Sequence, residues 1–338
     1  MLRTPNVLRW DGTPGHYEVY YLTLTDGATG VGFWIRYTML APLQRAGGQP
    51  TCALWFLAMD PRDGRPPTFA RKATFPIGAL SSAADPFELT VAEASLTGQG
   101  MRGAFEDVAW DLSWAPPTRA YEHVHAAIQR IGAAQTVLEL PGADLSIDGT
   151  ISFGGEQLEL AAARGGQAHL WGAKHARRWA WAHCNEFATA GGDAVSDAFI
   201  DGVSVFVRRF GQDVGPSTPV VARIYGEDFH STSPLNVLSN KSTFSLTRWR
   251  FEAVDGGRKL VCEIEADRER LAGVTYHDPD GELAYCYNGE TASMRLHVYE
   301  RARRLSVWAH RATLVSSGRT HFEYAQRTPV PELALLTT

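Results

Sequence analysis

Three histidines and three tryptophans fall within Gln167–Phe187, a 21-residue run that reads Gln-Ala-His-Leu-Trp-Gly-Ala-Lys-His-Ala-Arg-Arg-Trp-Ala-Trp-Ala-His-Cys-Asn-Glu-Phe. A protonated imidazole enclosed by apolar side chains is a general acid, and indole faces stabilise positive charge that develops beside them. Together these residue types suit the protonation of an apolar substrate. In an extended conformation, Trp179, Trp181, His183, Asn185 and Phe187 share one face, because strand side chains alternate; Ala180, Ala182, Cys184 and Glu186 take the other. The first face is aromatic and punctuated by hydrogen-bonding groups, as a pocket for a largely apolar molecule requires. The same pattern also describes an inward strand face whose imidazoles simply find core partners.

An acid mechanism needs a carboxylate near the imidazole, and Asp193, Asp197 and Asp201 follow the run. Asp193 reads as a turn residue, which leaves Asp197 and Asp201 as candidates. His169 and His175 are six apart with His183 eight further on, and His123 and His125 share a face if extended. None of these spacings is a local zinc pattern, so no metal is expected. GxSxG, Walker and HExxH signatures are missing, which turns the reading away from serine hydrolases and phosphate-binding enzymes. Tyr285-Cys-Tyr-Asn-Gly289 reads as strand and turn, with Tyr285 or Tyr287 placed to line a second cavity.

The elements that must position these groups read as strands. Glu18–Thr25 and 31–40 flank Asp26-Gly27 as a hairpin, and Thr51–Met59 ends in turn residues. The stretch 145–153 carries Asp148-Gly149 as a turn, while Gly154-Gly155 and Gly165-Gly166 read as further hairpin turns. A hairpin around Asp255-Gly256-Gly257 is expected, as is a turn at Asn288-Gly289. Helical spacing of Val124, Ile128 and Ile131 marks 120–134 as the main helical or irregular connection. Short strands with little helix predict an all-β protein of sandwiches or barrels; the 338 residues fit two antiparallel barrels in tandem. Thr189–Ala194 is the candidate boundary, giving domains 1–190 and 191–338 to within about 20 residues.

Hydrophobic content of 44% and charged content of 20% are those of a soluble globular chain, and the net charge of −5 argues against a nucleic-acid partner. The four dispersed cysteines fit reduced thiols, and no window approaches the roughly 18 apolar residues of a membrane-spanning helix. Without a secretion signal in Met1–Trp10, a cytoplasmic location is expected.

His169-Leu-Trp171-Gly172 followed by Trp179-Ala-Trp181 resembles the lipocalin-like (calycin) superfamily of carotenoid 1,2-hydratases, AttH-type proteins, tocopherol cyclase and survival-factor-1-like lipid-binding proteins. Weaker similarity runs through Gly32–Thr38, which holds Trp34, and through Gly318–Tyr324. The resemblance implies tandem lipocalin-like barrels and assigns His169 and Trp171 as counterparts of hydratase catalytic residues. Where those hydratases have a downstream Tyr-x-Asp acid, this chain reads Val195-Ser-Asp-Ala-Phe-Ile-Asp201, leaving Asp197 or Asp201 for that place. Two functions fit. One is an enzyme that needs no cofactor and hydrates or cyclises an isoprenoid- or polyketide-like molecule, with His169, Trp171, Asp197 and Asp201 catalytic and Trp34, Trp179, Trp181, His183, Asn185 and Tyr285 binding the substrate. The other is a carrier that uses the same cavity without an acid.

Overall fold

The computed structural model describes residues 5–125, 128, 129, 134–209, 211–303 and 306–337. The chain is all-β, with a 12-stranded sheet from His16 to Gly172 and a 14-stranded sheet from Arg178 onward, each curled into a half-barrel. Among the described residues every strand pair is antiparallel except Ala272–His277 with Leu335–Thr337. The change of sheet falls at 173–177, inside the aromatic run and ahead of the expected 190/191 division. No helix of the described residues is long and apolar enough to cross a membrane.

Local turn chemistry accounts for the first hairpin. His16–Thr25 and Gly32–Ala41 are joined where the Asp26 carboxylate accepts from the Thr29 backbone N–H at 2.9 Å and its hydroxyl at 2.6 Å. Thr51–Met59 and Thr68–Pro76 extend the sheet on that side. On the other side, Glu156–Gly172 pairs with His16–Thr25, which makes it the link between the hairpin and the rest of the half-barrel.

Several expected turns lie inside strands. Thr136–Phe153 is one 18-residue strand in which Asp148-Gly149 is a bulge; the true turn is Gly154-Gly155. Gly149 has φ +137, and a Cβ there would strike the Asp111 backbone carbonyl. Gly165-Gly166 lies within Glu156–Gly172, and Asn288-Gly289 lies within Leu283–Glu300, next to a register shift after Gly289. At Gly149 and Gly165 the missing Cβ permits close approach between strands, which local sequence cannot distinguish from a turn. The Asp255–Gly257 hairpin forms as expected, between Arg248–Asp255 and Arg258–Glu265. Of the helix expected over 120–134, residues 126, 127 and 130–133 lie outside the described residues. The N–H groups of Ile128 and Gln129 both reach the His125 carbonyl.

Apolar side chains form three clusters. One fills the N-terminal half-barrel with Phe33, Phe56, Trp110 and Phe153, and a second fills the C-terminal one with Trp249, Phe251, Tyr287 and Phe322. The third joins the two sheets and contains Tyr17, Trp34, Trp55, Trp179, Trp181 and Tyr276. Strands between two clusters are buried on both faces, which is why Thr51–Met59 reads as continuously apolar.

Close approach between the halves depends on missing Cβ atoms. A Cβ on Gly166 would lie 2.5 Å from His183 Nε2, and one on Gly32 would collide with the Glu290 backbone carbonyl. Gly32→Ala is therefore expected to cost roughly 1–3 kcal/mol through overpacking, read as a lowered midpoint in urea denaturation; an unchanged midpoint would mean that the halves part at no cost.

Candidate active site

The two half-barrel interiors are filled with side chains, and the cavity lies between the sheets, where it has a volume of about 430 Å3. Tyr17, Val19 and Tyr21 form one wall because they alternate with Glu18, Tyr20 and Leu22, which turn into the N-terminal half. Trp34 and Arg36 come from the neighbouring strand, and Trp179, Trp181, Tyr276 and Glu323 from the facing sheet. Val237 and Leu238 of the Pro234–Ser239 helix complete the lining, and this helix is capped by the Ser233 hydroxyl, which accepts from Asn236 N at 3.2 Å.

Asp201 is the buried node behind the cavity. Register sets it opposite His183, whose Nδ1 lies 3.0 Å from Oδ2. The Trp181 indole donates to Oδ1 at 3.1 Å, and His123 Nε2 lies 2.9 Å from Oδ1. Burial would raise the Asp201 pKa, but the bonds from His123 and His183 outweigh it and hold the carboxyl below its usual range. An ionised Asp201 takes an N–H from each ring, and the far nitrogens, His123 Nδ1 and His183 Nε2, have no protein partner. His123 lines the cavity.

Glu323 behaves in the opposite way. Its carboxyl lines the cavity, with the Trp179 indole 3.4 Å and the Cys286 thiol 3.6 Å from Oε2. Burial pushes its pKa up, and this outweighs the pull of the Arg36 charge. It thus holds its proton to higher pH than an ordinary glutamate does, the direction an acid catalyst needs. Glu290, also buried, is pushed up strongly by desolvation; it pairs with His321 at 2.7 Å behind the cavity wall.

The residues singled out in the sequence divide between distinct places. Trp34, Trp179 and Trp181 line the cavity, and His183 and Asp201 lie behind it. His169 and Trp171 lie on the other face of their strand from Leu170, which lines the cavity, so alternation turns them into the N-terminal half. There His169 stacks on Tyr20 at 4.2 Å, and its Nε2 lies 2.7 Å from Glu18. Asp197 is on the surface beside Arg223. Asn185 joins the halves, donating to the Gly165 carbonyl at 2.8 Å and to Asp144 at 3.0 Å. The strand ends at Cys184, which breaks the alternation, so Phe187 points into the C-terminal core and not onto the tryptophan face. Tyr285 packs against that same core. Sequence reasoning missed Glu323 and Arg36 and weighed His123 as a metal ligand against a polar pocket or core residue. The available signal was a lone charge inside an apolar strand, as in Gly32-Phe-Trp-Ile-Arg36, since such a charge is costly unless it is used.

A family model described as tocopherol cyclase-like matches residues 93–320. Two uncharacterized proteins of Mycobacterium tuberculosis, from strains CDC 1551 / Oshkosh and ATCC 25618 / H37Rv, are each 29% identical over 299 residues, spanning 88% of this chain and 85% of the relative. Among solved structures, an AttH protein of Nitrosomonas europaea aligns with TM-score 0.54 at 11% identity over 93% of this chain and 92% of that one. Kievitone hydratase of Nectria haematococca aligns with TM-score 0.52 at 10% identity, over 93% and 89%. At these identities the two structures share the fold with this chain.

Glu18 anchors the N-terminal arm. Its carboxylate accepts from the backbone N–H groups of Arg9 and Trp10, from the Tyr20 hydroxyl, and from His16 and His169. Burial would raise its pKa, yet the His16 and His169 bonds hold it down to about 2. A depressed carboxyl pKa adds stability above the unfolded value, and that stability is lost as pH falls from about 4.5 toward 2. Glu18→Gln is expected to cost roughly 2–4 kcal/mol at pH 7 and to flatten the acid limb of stability; denaturation curves across pH would show both.

Proposed function

The chain belongs to the tocopherol cyclase-like family, and from that membership and the chemistry of the cavity we propose an acid-catalysed hydratase or cyclase acting on an isoprenoid- or polyketide-like molecule. The observation that carries this reading is Glu323, a carboxyl whose pKa burial raises, in the wall of a largely apolar and aromatic cavity. Its proton passes to one carbon of a substrate double bond, whose π pair forms the new C–H bond, and positive charge develops at the other carbon. The faces of Trp34, Trp179, Trp181 and Tyr276 surround that charge and lower its energy, by about 1–2 kcal/mol per ring where water is excluded. Water, or a hydroxyl of the same molecule, then closes on the cation. The proton it sheds returns to the Glu323 carboxylate, which restores the acid for the next turnover. Water gives hydration and an internal hydroxyl gives a ring; the side chains of the cavity supply every group these steps require. In this reading the acid is neither His169, which bonds to Glu18, nor Asp197, which is on the surface.

The test is turnover of a panel of prenylated phenols and polyene acids, with mass spectrometry reading addition of one water or conversion to an isomer. Glu323→Gln is expected to lower the rate by roughly 10²–10⁴-fold with substrate binding retained, and Asp201→Asn to lower it less. His169→Ala, a change in the N-terminal half-barrel, is expected to act on stability and not on the chemical step. Because the acid form of Glu323 is the active one, the rate falls as pH rises through a pKa above the ordinary 4.5, and this limb vanishes in Glu323→Gln. Tight binding with no product from wild type or variant would instead mark a carrier.

A further inference from the structure

The cavity contains a cation with no anion. The Arg36 side chain is 94% buried, at 6% exposure, and lines the cavity. Its guanidinium carbon lies 4.2 Å from the Tyr276 ring, 5.2 Å from Trp34 and 5.8 Å from Trp55. Among the described residues no carboxylate is within ion-pair distance, and Nε has no hydrogen-bond partner. Of the other basic groups in the lining, Lys174 pairs with Asp280 at 2.5 Å, His175 with Asp278 at 2.6 Å and His123 with Asp201 at 2.9 Å. Glu323, the one carboxyl lining the cavity among the described residues, forms no ion pair with Arg36, and burial pushes its pKa above the ordinary value.

Two more donors around the guanidinium lack an acceptor. The Trp34 Nε1 and the Tyr276 hydroxyl are both buried without a hydrogen-bond partner, the latter with only the Cys286 thiol beside it. Buried donors left unpaired are costly, and a charged one most of all, so three unpaired donors on neighbouring cavity-lining residues point to an acceptor supplied from outside. A planar guanidinium matches a carboxylate in charge and shape. One positive charge matches one monoanion, and the aromatic and aliphatic walls suit an apolar body. We propose that the substrates of this cavity are amphipathic carboxylic acids whose carboxylate is bound by Arg36, Trp34 Nε1 and the Tyr276 hydroxyl.

This inference rests on the cavity being the substrate site, and it removes a difficulty in the acid mechanism. An uncompensated guanidinium would repel a cation developing at low dielectric, whereas a substrate carboxylate on Arg36 cancels that field and leaves the aromatic faces to act.

Decanoate and methyl decanoate, titrated at pH 7 against intrinsic tryptophan fluorescence, test it directly. Wild type is expected to prefer the acid by about tenfold or more, the scale of a charge-assisted hydrogen bond. Arg36→Gln should abolish the preference and keep ester binding, which also reports an intact cavity. Tyr276→Phe, which conserves shape, should lower acid affinity several-fold with the ester unchanged. Equal affinity of wild type for acid and ester, binding of neither, or a preference that survives in Arg36→Gln overturns the proposal. Since binding is read without turnover, that result leaves Glu323 as the acid untouched, and a normal rate in Glu323→Gln leaves the carboxylate site untouched.

Discussion

Two curled sheets pressed together face to face are the constraint from which the other features follow. Strands such as His16–Thr25 and Arg178–Cys184 serve two cores at once, so neither face is free to be solvated. Every polar side chain along them must be paired, expelled or put to use, because an unsatisfied buried group costs as much as the packing around it contributes. Glu18, Asp201 and Glu290 meet that demand through histidines, in three separate carboxylate–imidazole arrangements.

Two of the histidine-bonded carboxylates, Glu18 and Asp201, differ from Glu323 in what surrounds them. Glu18 and Asp201 receive several N–H and O–H donors, so the charged form is held even in the interior. Glu323 receives one long indole bond and a thiol contact, and its surroundings are apolar, so the neutral form wins. The same residue type is thus a structural anion in one place and a proton donor in another, according to how many donors reach it. Arg36 completes the contrast, since a guanidinium keeps its charge even in an apolar site.

The site lies between the half-barrels because each half has already filled its own interior. Bulky aromatics such as Phe56 and Trp110 occupy the N-terminal one and Trp249 and Phe251 the C-terminal one. The two sheets meet across large aromatic side chains that leave a gap of ligand size, closed on the outside by a short helix. The site therefore exists only when both halves are in place, which ties its chemistry to the close approaches at Gly32 and Gly166.

Much of the architecture could be read from residues alone. Alternation, β-branched and aromatic content, and turn chemistry such as Asp26-Gly27 and Asp255–Gly257 act over a few residues, and the tryptophan face of Trp179 and Trp181 follows from the period of a strand. Glycine pairs misled, because Gly165-Gly166 and Asn288-Gly289 serve contacts with strands distant in sequence. The aromatic run looked like one pocket, yet the sheet changes within it and parity sends His169 and Trp171 to one side and Trp181 to the other. The sequence by itself determined the strands and which of their side chains share a face. Only the tertiary structure decided which faces meet, and so that Arg36 of the first sheet and Glu323 of the last long strand border the same cavity; that meeting depends on register and sheet packing, which local residue patterns do not encode.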